Sequence, residues 1–315
     1  MKKYKVGSLY AGVGGICLGF KQSGFDIIWS NEWDKNSCIT YRENFNHKLI
    51  EGDIWDINEK SLDKIDVLCA GFPCQAFSVA GYRKGFKDKR GQHFFRILDF
   101  IEYHQPKVVF LENVKNLKNH DKGKTFKTIK NLLEERHYVV FDKVLNTKEV
   151  TDIPQNRERI FIVGFKKDII SNDLFEFPKP TNKLKSIKKL LEVNNDNSLI
   201  YTNNFKHYDL LLSEMKSENT LYQWRRQYVR ENKNDSCPTL TANMGTGGHN
   251  VPLLINDNQI RKLSPKECFN FQGFPENYRL PNLAKSHLYK QAGNSVTVPV
   301  IRKIAQLIKN KLDNM

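Results

Sequence analysis

The chain has 315 residues, of which 39% are hydrophobic, so it can bury a core of one large domain or two ordinary ones, and disorder is excluded as its general state. Its 50 Lys and Arg residues against 35 Asp and Glu give a formal charge of +15. Such a field attracts polyanions, which makes nucleic acid the first partner to consider, although a basic soluble surface explains the charge equally well.

The six cysteines show no CxxC pair and no recurring spacing, which excludes a disulfide framework and a zinc site. We therefore expect a reducing compartment and no metal. The opening residues 1–20 imitate a signal peptide, but this stretch carries five glycines and no cleavage site follows it. No apolar run approaches the length that spans a bilayer, so we expect a cytoplasmic protein without a membrane partner.

Short apolar runs alternate with longer amphipathic ones over the first 165 residues. The apolar runs predict strands at residues 4–10, 25–32, 47–53, 65–72, 106–113 and 159–165. Helical spacing occurs at residues 15–24, 34–45, 93–104 and 126–137. This alternation predicts an α/β fold, in which a mostly parallel sheet carries helices on both faces and functional groups gather at the carboxyl ends of the strands.

The composition changes after residue 180. Residues 181 to about 260 are rich in Asn, Lys and Ser and have weak periodicity, which predicts a smaller, loop-rich second domain. Residues 296–312 regain an amphipathic helical pattern whose apolar stripe needs a core to cover. We therefore expect domains at 1–180 and 181–285, with 286–315 returning to the first domain.

A glycine-rich turn follows the first predicted strand and opens the first helix. Gly12, Gly14 and Gly15 allow close approach to a ligand, and Glu32 lies about 20 residues further on, where an acid can bind ribose hydroxyls. A dinucleotide fingerprint requires Gly or Ala at the position of Cys17, which weakens a nicotinamide cofactor. S-adenosylmethionine, which has an adenosine but no pyrophosphate, fits this pattern better.

Asp53 follows the third predicted strand at the same edge, where a carboxylate can accept a hydrogen bond from an adenine amino group. Any one of these residues could be an ordinary turn residue. Three consecutive strand ends that each carry a suitable contact favour a cofactor site.

Cys74 differs from the other cysteines because it follows a strand end and a proline, and precedes a loop with six Lys or Arg against one Asp. Positive charge increases the thiolate fraction that a nucleophile needs. Glu112 ends the next apolar strand and can act as a general acid in the same crevice, or lie at the surface. Arg157 and Arg159 alternate at a strand start, so that at least one can face inward as a fixed donor.

The motifs together resemble those of the cytosine-C5 DNA methyltransferases. In order along the chain they are "LYAGVGG", "NEWD", "EGD", "GFPCQAFS", "LENV", "PQNRER", "RKLSPKECFNFQGFP" and "QAGNSV". The resemblance covers nearly the whole chain except residues 181 to about 235, and the length resembles that of a bacterial restriction-modification enzyme. It implies a Rossmann-like catalytic domain that binds S-adenosylmethionine, and a small target-recognition domain.

The resemblance also implies a reaction. A methyl group would pass from S-adenosylmethionine to C5 of a cytosine flipped out of a short duplex DNA site, which would protect DNA in a restriction-modification system. Cys74 would attack C6, Glu112 would protonate N3, and Arg159, supported by Arg157, would hold the O2 side. The basic loop after Cys74 would close over the base and hold the DNA through Arg83, Lys84, Lys89 and Arg90.

The remaining site residues follow from the same resemblance. The cofactor would contact Tyr10, Gly12, Gly14, Gly15, Glu32, Trp33, Asp53, Ile54, Pro73 and Asn294. For Tyr10 and Trp33, an ordinary core position is an equal alternative. The small domain would bind DNA through Gln223, Arg225, Arg226, Thr239, Gly247 and Gly248, with Gln223 a candidate to fill the space left by the flipped base.

Two other functions remain to be compared with this one. An RNA cytosine-C5 methyltransferase shares the fold, but its typical Cys-Phe-Thr motif is absent here. A nicotinamide oxidoreductase shares the sheet, but has no use for Cys74 beside Glu112. We expect duplex DNA as the macromolecular partner, a restriction endonuclease as a separately acting candidate partner, and a monomer; the target sequence does not follow from the motifs.

Overall fold

The computed structural model describes residues 3–73, 93–170, 174–181, 183–193, 196–225, 227–233, 235–246 and 250–314. The chain divides into two compact units. The first unit comprises Met1–Leu145, Glu158–Pro178 and Ile301–Met315, and the second comprises Asn146–Arg157 and Lys179–Val300.

The first unit is built on a sheet in which seven described strands take part. They are β1 (Lys5–Leu9), β2 (Asp26–Glu32), β3 (Lys48–Glu51), β4 (Val67–Ala70), β5 (Val108–Val114), β6 (Tyr138–Asn146) and β7 (Glu158–Lys166), in the order β3-β2-β1-β4-β5-β7-β6. The pairs among β1 to β5 are parallel, whereas β7 runs antiparallel to β5. The predicted α/β fold with a mostly parallel sheet is confirmed; β6 was not predicted.

The helices of the described residues fall where helical spacing predicted them in the first unit. They are α1 (Gly15–Gln22), α2 (Lys35–Arg42), α3 (His93–His104), α4 (Lys124–Glu134), α5 (Thr147–Val150), α6 (Tyr208–Glu214), α7 (Pro265–Phe271), α8 (Lys285–Asn294) and α9 (Val298–Asp313). Short 3-10 helices occupy Ile54–Asp56, Glu59–Ser61, Lys115–Lys118, His120–Gly123, Ile187–Leu190, Asn197–Leu199 and Ala242–Gly245.

The central strands and the C-terminal helix form the core of the first unit. All four residues of β4 are buried, as are Val108 to Asn113 in β5. Helix α9 packs closely on α1, because a Cβ placed on Gly19 would lie 2.6 Å from Ile301. The hydroxyl of Tyr4 donates a hydrogen bond to the Leu312 carbonyl at 2.6 Å. The apolar stripe of the tail is therefore covered by the first unit.

The second unit contains a four-stranded antiparallel sheet in its described residues. Its strands are β8 (Leu221–Trp224), β9 (Val229–Asn232), β10 (Leu253–Asn256) and β11 (Gln259–Lys262), in the order β11-β10-β8-β9. A small core of Leu211, Met215, Tyr222, Leu253 and Ile260 lies against this sheet.

The observed units divide the chain differently from the predicted boundaries at 180 and 285. Residues 146–157 group with the second unit because backbone hydrogen bonds join them to residues 237–240. The Asn156 N–H donates to the Cys237 carbonyl at 2.8 Å, and the Cys237 N–H donates to Pro154. Residues 286–300 also belong to the second unit, and only Ile301–Met315 at the C-terminal end belong to the first unit.

His104, the last residue of α3, makes the stability of the first unit depend on pH. It is 4% exposed and packs among Trp29, Phe100 and Tyr103. Burial, together with the nearby Lys64 charge, lowers the pKa of His104 to about 4. An unfolded histidine has a pKa of about 6.5, so below that pH the unfolded chain binds a proton that the folded chain excludes. The contribution of His104 to the free energy of unfolding is therefore fully present above pH 6.5 and is lost as the pH falls towards 4.

We expect His104→Phe to reduce the loss of unfolding free energy between pH 7 and pH 5 by about 1–2 kcal/mol. Urea unfolding at several pH values measures this loss. Part of it should remain, because burial also lowers the pKa of His47 to about 4. The exposed His137→Asn variant is the control. An unchanged pH dependence in His104→Phe would contradict the assignment.

Candidate functional site

The carboxyl ends of the parallel strands bring several predicted residues to one edge of the first unit. Tyr10 follows β1, Glu32 ends β2, and Asp53 lies two residues after β3. Gly71 follows β4, and Glu112 lies near the end of β5. Parallel neighbours end at the same edge of a sheet, so these residues lie along one edge.

The glycine turn at this edge has a backbone that requires glycine at two positions. Gly12 and Gly14 have φ angles of +57° and +82°, which side chains with a Cβ rarely adopt. A Cβ on Gly14 would also lie 2.3 Å from the Phe45 ring. Gly15 is the first residue of α1. A Cβ on Gly12 would meet nothing within 4 Å, so the turn is open at Gly12 and filled by the Phe45 ring at Gly14.

Glu32 connects the end of β2 to the glycine turn. Its Oε2 accepts the Gly12 N–H at 2.7 Å, and its Oε1 accepts the N–H groups of Trp33 at 3.0 Å and Asp34 at 2.8 Å. Burial raises the pKa of Glu32, and these three N–H groups oppose the rise. The Trp33 side chain is 71% exposed, so it is a surface aromatic and not a core residue.

Asn31, which sequence analysis missed, fixes the neighbouring turn. Its Nδ2 donates to the carbonyls of Ile50 at 3.0 Å and Gly52 at 2.9 Å. Asp53 is exposed and its Oδ1 accepts the Trp55 N–H at 3.1 Å, at the start of the 3-10 helix. Ile54 is 3% exposed and packs in the core. Among these residues, the Asp53 carboxylate is the group available to a ligand.

Tyr10 lies close to Asp53 and to a second residue that sequence analysis missed, His93. Tyr10 has a left-handed φ of +55°, and its hydroxyl lies 3.2 Å from His93 Nδ1 and 3.3 Å from the His93 carbonyl. Burial raises the pKa of Tyr10 and the Asp53 charge raises it further. Burial lowers the pKa of His93, which Asp53 opposes. These three residues form one polar cluster at the edge.

Glu112 forms an ion pair with Arg159 in the first unit. Arg159 Nε lies 3.2 Å from Glu112 Oε1, and the two side chains are 17% and 11% exposed, respectively. The pair follows from the antiparallel register of β5 and β7, in which Val114 is opposite Arg159. A Cβ on Gly71 would lie 3.7 Å from Glu112 Oε2. The carboxylate is therefore adjacent to the segment that leads to Cys74.

Asn113 holds that segment in place and was also missed by sequence analysis. Its Nδ2 donates a buried 2.8 Å hydrogen bond to the Phe72 carbonyl, and its Oδ1 accepts the Val114 N–H at 2.8 Å. Pro73 is exposed. Cys74 itself lies outside the described residues.

Arg157 lies in the second unit and differs in its contacts from Arg159. It is 2% exposed, and its guanidinium donates to the carbonyls of Leu240 at 2.7 Å, Gly293 at 3.2 Å and Ser295. These bonds join the "PQNRER" and "QAGNSV" segments. Asn294 is exposed at the end of α8 in this unit.

Three of the predicted DNA-binding residues of the second unit lie around a polar cavity. The cavity has a volume of about 710 Å³, and Gln223, Arg225 and Thr239 line it. The other predicted residues lie outside the described ranges: Arg83, Lys84, Lys89, Arg90, Arg226, Gly247 and Gly248.

Within the described ranges no group of three or more His, Cys, Asp or Glu residues is arranged to hold a metal ion. No helix in the described part of the chain has both the length and the apolar character needed to cross a membrane.

Comparison with known proteins gives consistent matches along the chain. The family model of C-5 cytosine-specific DNA methylases matches residues 4–310. The type II methyltransferase M.Bsp6I of Bacillus sp. (strain RFL6) is 55% identical over 309 residues, covering 96% of this chain and 98% of the relative. M.HhaI of Haemophilus parahaemolyticus is 38% identical over 320 residues, covering 97% and 94%.

Solved structures match in fold. A DNMT2 mutant of Spodoptera frugiperda matches with a TM-score of 0.78 at 18% identity, over 98% of this chain and all of that chain. At this identity the likeness shows the shared architecture alone.

Proposed function

Because the chain belongs to the family of C-5 cytosine-specific DNA methylases and is a DNA (cytosine-5-)-methyltransferase of the type II restriction-modification class, we propose that the edge described above is its active site and that S-adenosylmethionine is its methyl donor. The observation that carries this proposal is the Glu112–Arg159 pair beside Gly71, three residues before Cys74. An RNA substrate or an oxidoreductase activity is not favoured by this family membership.

The residues of the edge fit the adenosyl group of the donor. Oε2 of Glu32 accepts the Gly12 N–H and keeps a lone pair for a ribose hydroxyl. Asp53 can accept from the adenine amino group, and the exposed ring of Trp33 can pack on the base. The turn is open at Gly12, where an added Cβ would meet nothing within 4 Å, so the donor can approach the start of α1 there. When bound, S-adenosylmethionine supplies an electrophilic methyl group.

The roles of the catalytic residues follow from the chemistry of cytosine, whose C5 is a poor nucleophile. Attack of the Cys74 thiolate on C6 converts the ring to an enamine with a nucleophilic C5. Negative charge then accumulates on N3 and O2. Protonated Glu112 donates to N3, and Arg159, which already binds Glu112 through Nε, can donate to O2. Once C5 carries the methyl group, a base removes the C5 proton and the C6–S bond breaks, which releases Cys74. The N3 proton returns to Glu112, and 5-methylcytosine remains.

Asn113 and Arg157 would act as positioning residues in this scheme. Asn113 fixes the main chain at Phe72, directly before Pro73 and Cys74. Arg157 ties together the "PQNRER" and "QAGNSV" segments through three carbonyls. Both terminal nitrogens of Arg157 bind these carbonyls, so in this scheme Arg159 alone donates to O2 of the base.

Methylation of duplex DNA tests the proposal directly. The protein should transfer tritium from [methyl-³H]S-adenosylmethionine to duplex DNA in preference to tRNA. Bisulfite sequencing of a methylated random library should then show protected cytosines within one short motif. Preferential labelling of tRNA would contradict the assignment of the substrate.

The cofactor site can be tested at Asp53. Serine at this position keeps the helix-capping oxygen but removes the carboxylate, so we expect Asp53→Ser to weaken binding of S-adenosylhomocysteine about tenfold. Isothermal titration calorimetry measures the dissociation constant. Asn58→Ser is the matched control, because Asn58 caps the next 3-10 helix in the same way. Equal affinities for wild type and Asp53→Ser would remove Asp53 from the site.

We also propose the biological setting of the enzyme. The second unit, through Gln223, Arg225 and Thr239, would carry target recognition, with Arg226, Gly247 and Gly248 in the same segments. The enzyme would act as a monomer on DNA in the cytoplasm, and a restriction endonuclease acting separately would cut unmethylated sites. Support for this setting comes from its similarity to bacterial type II methyltransferases.

A further inference from the structure

The hairpin formed by β8 and β9 presents two polar side chains from one face. Gln223 lies directly opposite Arg230 in the antiparallel register. Two cross-strand bonds fix this register near the base of the hairpin. The Thr220 hydroxyl donates to the Asn232 carbonyl at 2.7 Å, and Asn232 Nδ2 donates to the Leu221 carbonyl at 3.0 Å. Asn232, which makes both bonds, is two residues from Arg230, so these bonds fix the position of the Arg230 main chain in the hairpin.

The opposite face of the hairpin is anchored in the core of the second unit. Tyr222 is 1% exposed, and Trp224 and Val229 pack against the same apolar cluster. Alternation along the strands places these residues on the face away from Gln223 and Arg230. The hairpin therefore cannot rotate without exposing its apolar side chains, and its polar face keeps a fixed direction.

The polar face offers hydrogen-bond donors. Arg225 donates through a terminal nitrogen to Gln223 Oε1 at 3.2 Å, which leaves the Gln223 Nε2 donor for other partners. Arg230 is exposed, and within the described part of the chain no carboxylate pairs with it. Both side chains line the 710 Å³ cavity of the second unit.

We propose that Arg230 is a specificity-determining residue that reads the major-groove edge of a guanine in the target site, with Gln223 as its neighbouring donor. This inference rests on the proposed function. A two-stranded ribbon fits the major groove, and guanine presents two acceptors there, N7 and O6. Adenine presents an acceptor and a donor, and cytosine presents a donor. The Arg230 guanidinium carries donors alone, so its fork matches guanine among these bases.

Two lysines of the same cavity have the different chemistry of phosphate contacts. Lys148 and Lys233 line the cavity and carry compact charges on flexible chains. Such side chains hold phosphates without reading sequence. Arg230 has the planar fork required for a bidentate contact with a base, and it sits on a locked strand. The cavity thus combines an arginine that contacts a base, Arg230, with lysines that contact the phosphates of the DNA.

The test compares Arg230→Lys with the wild-type enzyme on a random duplex library, read by bisulfite sequencing. Wild type should define a motif that contains at least one required guanine. Arg230→Lys should lose about tenfold or more in kcat/KM on that motif and tolerate other bases at one guanine position only. Replacing that guanine by 7-deazaguanine, which lacks N7, should impair the wild type but have little further effect on Arg230→Lys.

Lys233→Ala is the matched control from the same cavity. It should lower kcat/KM uniformly across sequences and reduce the salt dependence of binding by about one charge, with an unchanged motif. The same uniform pattern in Arg230→Lys would overturn the proposal and make Arg230 a phosphate contact. If wild type methylates no duplex motif, the proposed function fails first, so the two failures are distinguishable.

Discussion

Cys74→Ser is expected to lose methyl transfer by roughly a thousandfold or more, and to lose the covalent complex that wild type forms with duplex DNA containing 5-fluorocytosine at the target position. Fluorine at C5 cannot leave as a proton does. The adduct between the Cys74 thiolate and C6 therefore accumulates in the wild type. A serine hydroxyl is ionised far less than a thiol at neutral pH, so the variant should bind DNA without forming the adduct.

Denaturing gel electrophoresis measures this trapping, and a DNA mobility shift shows that the variant still binds. Cys69→Ala is the matched control, because Cys69 lies five residues before Cys74, in the fully buried strand β4. Burial raises the pKa of the Cys69 thiol well above its ordinary value, so it stays protonated and inert. Trapping by Cys74→Ser, or its loss in Cys69→Ala, would contradict the assignment of the nucleophile.

The strands that carry the site could be predicted because each one ends in a short polar or glycine-rich signal. The carboxyl ends at Tyr10, Glu32, Asp53 and Glu112 fall at one edge as expected from parallel pairing. Periodicity does not report strand direction, however. The antiparallel β7 places Arg159 opposite Val114 and so beside Glu112, and this neighbour follows from register alone.

The positioning residues could not be predicted from their sequence context. Asn31 and Asn113 are each adjacent to a predicted site residue, Glu32 or Glu112. An asparagine in a sequence does not show which distant carbonyl its side chain will bind. Their partners, at Gly52 and Phe72, lie 21 and 41 residues away along the chain. His93 is 83 residues from Tyr10. Such long-range contacts depend on how the loops return to the sheet.

The partners of the two arginines of "PQNRER" also could not be predicted from the local sequence. Their alternation at a strand start predicted that at least one faces inward, and the family resemblance gave Arg159 the O2 side of the base with Arg157 in support. The structure gives Arg157 three main-chain carbonyls of the second unit and gives Arg159 the Glu112 carboxylate. Two residues of separation place them in different compact units, which a local pattern cannot express.

Glu112→Gln is expected to reduce kcat by about a hundredfold to ten-thousandfold while leaving DNA affinity within a few-fold of wild type. A glutamine amide can still donate a hydrogen bond to N3, but it cannot transfer a proton as charge accumulates there. Rapid-quench assays of methyl transfer measure the chemical step, and 5-fluorocytosine trapping should slow in parallel. The matched control is Glu158→Gln, because Glu158 pairs with Lys115 in a half-exposed ion pair worth at most about 1 kcal/mol.

Arg159→Lys separates the two roles of the pair. Lysine keeps the positive charge beside Glu112 but lacks the fork that binds the carboxylate and O2 together, so kcat should fall while the protein stays folded. If both residues stabilise one transition state, the double variant Glu112→Gln/Arg159→Lys will lose less than the product of the single losses. Independent losses that multiply would mean that Glu112 and Arg159 act separately and that the 3.2 Å contact does not couple them in the transition state.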